Sequence, residues 1–260
     1  MKCTLLTIVL SFICISMPFA QEQPQTLSAE WALSEIQQIE AYLETCDREQ
    51  LEGEQAKLYA VASKSWGTFK SLCKQEDLKA AAYFYKENMQ DFWVYLYNTS
   101  AQFYFVRYII KHLVFQFMPW DEAYALFKSD LELNLVMTEG VIEMAKEKAG
   151  YVPPHYADLT YEMIGLYLEG EEWNRARETI DHYVVALQLL LDFSDLSASV
   201  TKTFVESIVF QRKGEIREAK KVLQQGLNML ANAKEGIDTP ENIQGFKELL
   251  QGELEKLKGI

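Results

Sequence analysis

The residues best suited to chemistry are His112, His155 and His182, the acids Glu169, Glu171, Glu172 and Glu178, and the cysteines. The histidines are too scattered to form a ligand pair at helical spacing, and no HExxH or clustered Cys/His arrangement accompanies them. His155 with Asp158, and His182 with Asp181, are close in sequence but have no nucleophile beside them, so both read as surface or interface pairs. Paired carboxylates can perform acid and base work. These four glutamates, however, surround a predicted turn and helix start, where acids are favoured by the positive end of the helix dipole. No GxSxG elbow, phosphate-binding glycine loop or dinucleotide fingerprint is present. The expectation is a protein without a catalytic, cofactor-binding or metal site, and not an enzyme.

Charge and targeting signals narrow the class further. Lys2, the apolar run from Leu5 to Ile15, and Met17 to Ala20 ahead of the polar stretch Gln21 to Gln25 read as a signal peptide over residues 1–20, followed by a polar segment over 21–27. The Phe-Ala-Gln junction at 19–21 resembles those of proteins exported by Gram-negative bacteria, which implies a periplasmic or extracellular protein. No later segment offers the roughly 20 uncharged apolar residues a spanning helix needs. Tyr104 to Phe117 comes nearest and is interrupted by Arg107, Lys111 and His112, so no integral membrane segment is expected after cleavage. A net charge of -13 repels phosphate backbones, and no clustered Lys/Arg stripe offsets it in the sequence, so nucleic acid is not an expected partner. Cys46 and Cys73 remain after cleavage. On an antiparallel hairpin of 28–46 and 51–73 they lie about 30 Å apart, too far for a disulfide unless the chain folds back near residues 65–67.

From Trp31 onward the apolar spacing is helical and no alternating strand run occurs, which predicts a single all-α domain over residues 28–260. The clearest face is Leu78, Ala82, Tyr85, Met89, Phe92 and Leu96, at steps of four and three. Pro119 fits the first turn of a helix running to Lys148, and Gly150, Pro153 and Pro154 make the strongest break in the chain. Beyond it the pattern gives helices at 158–168, 172–191, 197–212 and 216–233. A last helix from Pro240 to Leu257 has the apolar face Ile243, Phe246, Leu250, Leu254 and Leu257 and a polar outer side, as an array's closing cap requires.

Within residues 200–233, Ser207, Phe210, Gly214, Ala219, Leu223 and Gly226 place small and large side chains where two antiparallel helices must touch across a glycine turn. This pattern resembles a tetratricopeptide repeat. A second copy at 157–190 has Tyr167, Ala176 and Ile180, but Gly170 falls one residue early and Tyr183 replaces a small side chain. A fainter trace surrounds Val114, Ala123 and Phe127. Ala123, Ala176 and Ala219 are separated by 53 and 43 residues, against about 34 in the family, which implies longer helices or irregular connections. The resemblance implies an irregular right-handed array of antiparallel helical hairpins, an α-solenoid. In this organisation the aromatic-rich helices occupy 28–150, the repeats 157–233 and the capping helix 240–258.

Arrays of this family bind peptides on the concave face made by the first helix of each pair. The resemblance therefore implies Asp158, Tyr161 and Glu169, with Thr201, Phe204, Gln211 and Arg212, as a surface for a protein or peptide partner. The alternative lies in residues 83–120, which hold fourteen of the chain's aromatic residues. Such density serves either a core buried on two sides or an aromatic groove for a sugar or lipid. The expectation is an exported, non-catalytic interaction scaffold.

Overall fold

The computed structural model describes residues 28–45, 52–97, 111–146, 156–191, 193–234 and 237–258; among them are helices and no strand. Residues 1–20, where a signal peptide is expected, and Cys46, Pro153, Pro154 and His155 lie outside the described residues. The helices are α1 Ala29–Thr45, α2 Gly53–Lys74, α3 Leu78–Tyr97, α4 Trp120–Lys146, α5 Tyr156–Glu169, α6 Trp173–Leu191, α7 Asp195–Arg212, α8 Ile216–Ala231 and α9 Pro240–Leu257; residues 111–117 are also helical. None of the described helices is long and apolar enough to cross a membrane. The chain packs as two units that divide between Asp130 and Leu131, within α4.

Capping residues set several of the helix starts. The Ser28 hydroxyl accepts the Trp31 amide at 3.1 Å ahead of α1, and Thr239 accepts the Asn242 amide at 3.2 Å ahead of α9, whose first residue is Pro240. Pro119 stands just before α4, where its carbonyl accepts the Ala123 amide at 2.9 Å.

In the unit ending at Asp130, neighbouring helices pack in sequence, α1 on α2 and α2 on α3. Helix α2 continues through residues 65–67 without the break that folding the chain back would need, and Cys73 is a buried free thiol. Its core sets Trp66, Phe69, Tyr85 and Phe92 together, with Phe92 edge-on to Phe69 at 5.3 Å and to Tyr85 at 5.0 Å between ring centres. The predicted face of α3 is buried at Leu78, Ala82, Tyr85 and Phe92. That helix kinks at Asn88, whose side-chain amide donates to the Phe84 carbonyl at 2.8 Å and whose φ and ψ of -123° and 22° leave the helical region.

In the unit from Leu131 onward, α5 packs on α6, α6 on α7, α7 on α8 and α8 on α9. Helix α8 shows why. Ala219, Val222, Leu223, Gly226 and Leu230 fall on one buried face, opposite the exposed Lys221, Gln224, Gln225 and Asn228. Ser207 and Ala219 are fully buried at the α7–α8 joint. A Cβ on Gly226 would stand 2.6 Å from Thr203 Oγ1 and 2.8 Å from Leu250 Cδ1, so only a glycine lets α8 approach α7 and α9 this closely.

Three connections share one geometry. At α2–α3, α5–α6 and α7–α8, a left-handed residue (Glu76, φ 60°; Glu171, φ 57°; Gly214, φ 81°) ends the first helix. The next residue's amide, of Asp77, Glu172 or Glu215, then donates to the carbonyl five residues back, at 3.1, 2.8 and 2.8 Å. The carbonyl of that same residue starts the second helix by accepting the amide of Ala81, Ala176 or Ala219, each at 3.0 Å. All three alanines are fully buried. Gly170 is therefore not a displaced turn glycine: Glu171 takes the left-handed position and Gly170 precedes it. The α2–α3 member has no glycine in its turn and lies outside the stretch where sequence alone shows the pattern.

Candidate functional site

The side chains implied as a partner surface lie on α5 and α7, the first helix of each of two hairpins. Asp158 and Arg212 are exposed, Tyr161, Glu169 and Gln211 are half-buried, and Thr201 and Phe204 are buried. Tyr161 turns toward its own hairpin, its ring centre 5.9 Å from that of the buried Tyr183 on α6, and burial pushes its hydroxyl up to about 12. Crowding by protein atoms and the neighbouring Glu162 raise the Asp158 carboxyl above its ordinary value, although much of the residue stays open to water. Two polar atoms on α7, Thr201 Oγ1 and Gln211 Nε2, are buried without a hydrogen-bond partner. An orphaned buried polar group costs about 1–3 kcal/mol, so both are a local cost to the stability of α7.

The acids near 169–172 are occupied structurally. Glu171 forms the turn, and Glu172 begins α6 with its carboxylate 3.5 Å from Arg175 Nε. Glu171, Glu172, Trp173, Arg175 and Lys213 line a recess of about 400 Å3, so the α5–α6 turn and Lys213 of the α7–α8 turn stand side by side.

His182 pairs with Glu139 of α4 at 2.6 Å, not with Asp181, which instead receives Lys202 of α7 at 2.5 Å. Glu139 also accepts the Tyr156 hydroxyl at 3.1 Å. One heptad earlier on the same helix, Glu132 accepts the Tyr167 hydroxyl at 2.9 Å and pairs with Arg175. Each acid thus clamps one tyrosine of α5 and one basic side chain of α6. Burial, with Glu132 beside it, pushes the Tyr167 hydroxyl up to about 12. No sequence motif announces these clamps, because their members are 35 and 43 residues apart in one and 17 in a contact of the other.

Among the described residues no group of three or more His, Cys, Asp or Glu is placed to hold a metal ion. In the aromatic-rich stretch, Tyr85 and Phe92 are buried, Tyr83, Phe84, Phe115 and Phe117 are half-buried, and Trp120 is 51% exposed. Trp93, Tyr95, Tyr97, Phe103, Tyr104, Phe105 and Tyr108 belong to the part whose side chains are not described.

The fold brings Arg217, Lys220 and Lys221, neighbours in sequence on α8, together with Lys258 of α9 around a groove of about 620 Å3. Antiparallel packing of α8 and α9 brings Lys258 back to the other three across 37 positions of chain.

No family model matches the chain, and neither does any curated protein or solved structure.

Proposed function

We propose that this chain is an exported, non-catalytic scaffold, a tetratricopeptide-like α-solenoid of right-handed hand that holds a protein or peptide partner. The observation that carries the reading is the joint used three times, with its left-handed turn residue and the buried alanine five positions later. Hairpins joined this way cannot bury their apolar faces alone, and stacking them creates extended surface in place of a closed catalytic pocket. The partner surface proposed is the open part of α5 and α7, carried by Asp158, Glu169 and Arg212.

Affinity capture with the mature protein from its native envelope fraction tests this, run beside a D158A/E169A/R212A variant. A specific partner lost from the variant supports the surface. A partner retained by the variant moves the surface elsewhere, and capture of nothing specific removes the scaffold reading.

A sugar or lipid site in residues 83–120 is the second reading. It draws on Trp120, stacked on Tyr124 at 6.0 Å with half its surface open. Quenching or shift of tryptophan fluorescence by oligosaccharides or fatty acids, abolished by Trp120→Ala, would favour it.

A further inference from the structure

Helix α8 begins against its own dipole. Arg217, Lys220 and Lys221 stand in its first two turns with Glu218 as the one acid among them, although the positive end of a helix disfavours cations. Lys221 is held by Glu218 at 3.1 Å and Lys258 by Glu255. Among the described residues no carboxylate lies within ion-pair distance of Arg217 or Lys220. Local stability therefore does not explain this placement.

An anion would be drawn to the same spot by the cations and by the helix dipole together. The groove they line, about 620 Å3 between α8 and α9, holds four cations against the carboxylate of Glu255, with the half-buried Leu254 among its lining residues. We infer that this groove binds an acidic peptide segment, whose carboxylates meet Arg217 and Lys220 while its chain lies along Leu254 and the aliphatic stems of the lysines.

Size and charge select that occupant. From Arg217 to Gln224 the groove follows α8 for about 10 Å, at about 1.5 Å per residue, which matches about three residues of extended peptide. The exposed Lys221–Glu218 and Lys258–Glu255 pairs are weak enough for an incoming carboxylate to exchange with them. A long polyphosphate or nucleic acid would leave the groove and run over a chain whose net charge is -13, within the roughly 8 Å reach of charge at physiological salt. A short acidic segment ends before that. This inference is independent of the α5/α7 surface, since the groove uses other helices.

Anisotropy of fluorescein-labelled triglutamate titrated with the full chain provides the test, at 50 and 150 mM NaCl. Binding that weakens with salt, and that R217E/K220E weakens by roughly tenfold or more, is expected. Lys79→Glu, which changes an exposed lysine on α3, should leave the affinity unchanged, and triglutamine should not bind. The milder R217Q/K220Q variant, checked for unchanged helix content, covers the case where charge reversal disturbs folding. Absence of triglutamate binding, an equal loss with Lys79→Glu, or tighter binding of a polyphosphate or single-stranded oligonucleotide of equal charge would overturn the inference.

Discussion

Ser194 and Asp238 join the starts of two helices. The Ser194 hydroxyl accepts the Ser197 amide at 3.0 Å, capping α7, and donates its own proton to Asp238 Oδ2 at 2.7 Å, just ahead of α9. Asp238 also accepts the Ser197 hydroxyl, the Thr239 amide at 2.8 Å and the Asn242 side-chain amide at 2.8 Å. Burial alone would raise this carboxyl, but the four donors outweigh it and hold it below the ordinary carboxylate range.

Asp238→Ala should therefore destabilise the chain by about 1–2 kcal/mol, a figure reduced for the solvent that reaches the site. Because the folded carboxyl titrates below the unfolded one, its contribution is present above the unfolded value near 4 and is lost as pH falls through the folded value. Urea unfolding at pH 7 should separate Asp238→Asn from the parent chain, and the gap should close toward pH 3. A gap that persists unchanged at pH 3 would show that the charge is not what holds the two helix starts.

Ala219→Leu should overpack the α7–α8 joint at a cost of about 1–3 kcal/mol. The shared turn geometry extends this to Ala81→Leu and Ala176→Leu, which should lower the melting temperature comparably. Unchanged melting of the Ala81 variant would separate α2–α3 from the other two joints.

Gly214→Ala should cost about 1 kcal/mol, because φ is 81° there. Glu171 already bears a similar strain at φ 57°. Glu171→Gly should relieve it, less the entropy a glycine adds to the unfolded chain, so its melting temperature should not fall. Opposite signs at these equivalent positions are the measurement to seek.

Thr201→Val and Gln211→Met each remove a buried polar atom that has no partner. Each should stabilise the chain by about 0.5–1 kcal/mol in urea unfolding. Destabilisation by both would mean that these groups are satisfied in solution.

Burial pushes the Cys73 thiol up to about 12, so almost no thiolate exists at pH 8. With Cys3, Cys14 and Cys46 changed to serine, Cys73 should react with a thiol reagent only as fast as the chain opens, and urea should accelerate it. Immediate stoichiometric labelling in native buffer would contradict the packing around α2.

Helix identity was legible because apolar spacing reports burial directly: Pro240–Leu257 matches its predicted bounds, and Ser207, Ala219 and Leu223 are buried where spacing puts them. The α2–α3 copy of the joint was hidden. Its left-handed turn residue is Glu76, and a search for turn glycine recovers only the Gly214 member. The small residue Ser207 corresponds to the large Phe69 in that hairpin, so side-chain size did not mark the repeat either. The glutamate clamps, and the addition of Lys258 to the cations of α8, depend on contacts between distant parts of the chain, for which period and composition carry no signal. For the surface residues, sequence gave the helix but not the direction: Phe204 is an interior side chain, whereas Arg212 on the same helix is open to water.

Gly226 has a consequence for the role of α9. By letting Leu250 settle onto it, this residue makes α9 a stopper for the hairpin before it. A chain cut ahead of Pro240 would bare an oily strip around Gly226, shaped to receive a helix, and the nearest available helix would belong to another copy. Proteolytic trimming at that boundary would turn a covered helix face into an adhesive one.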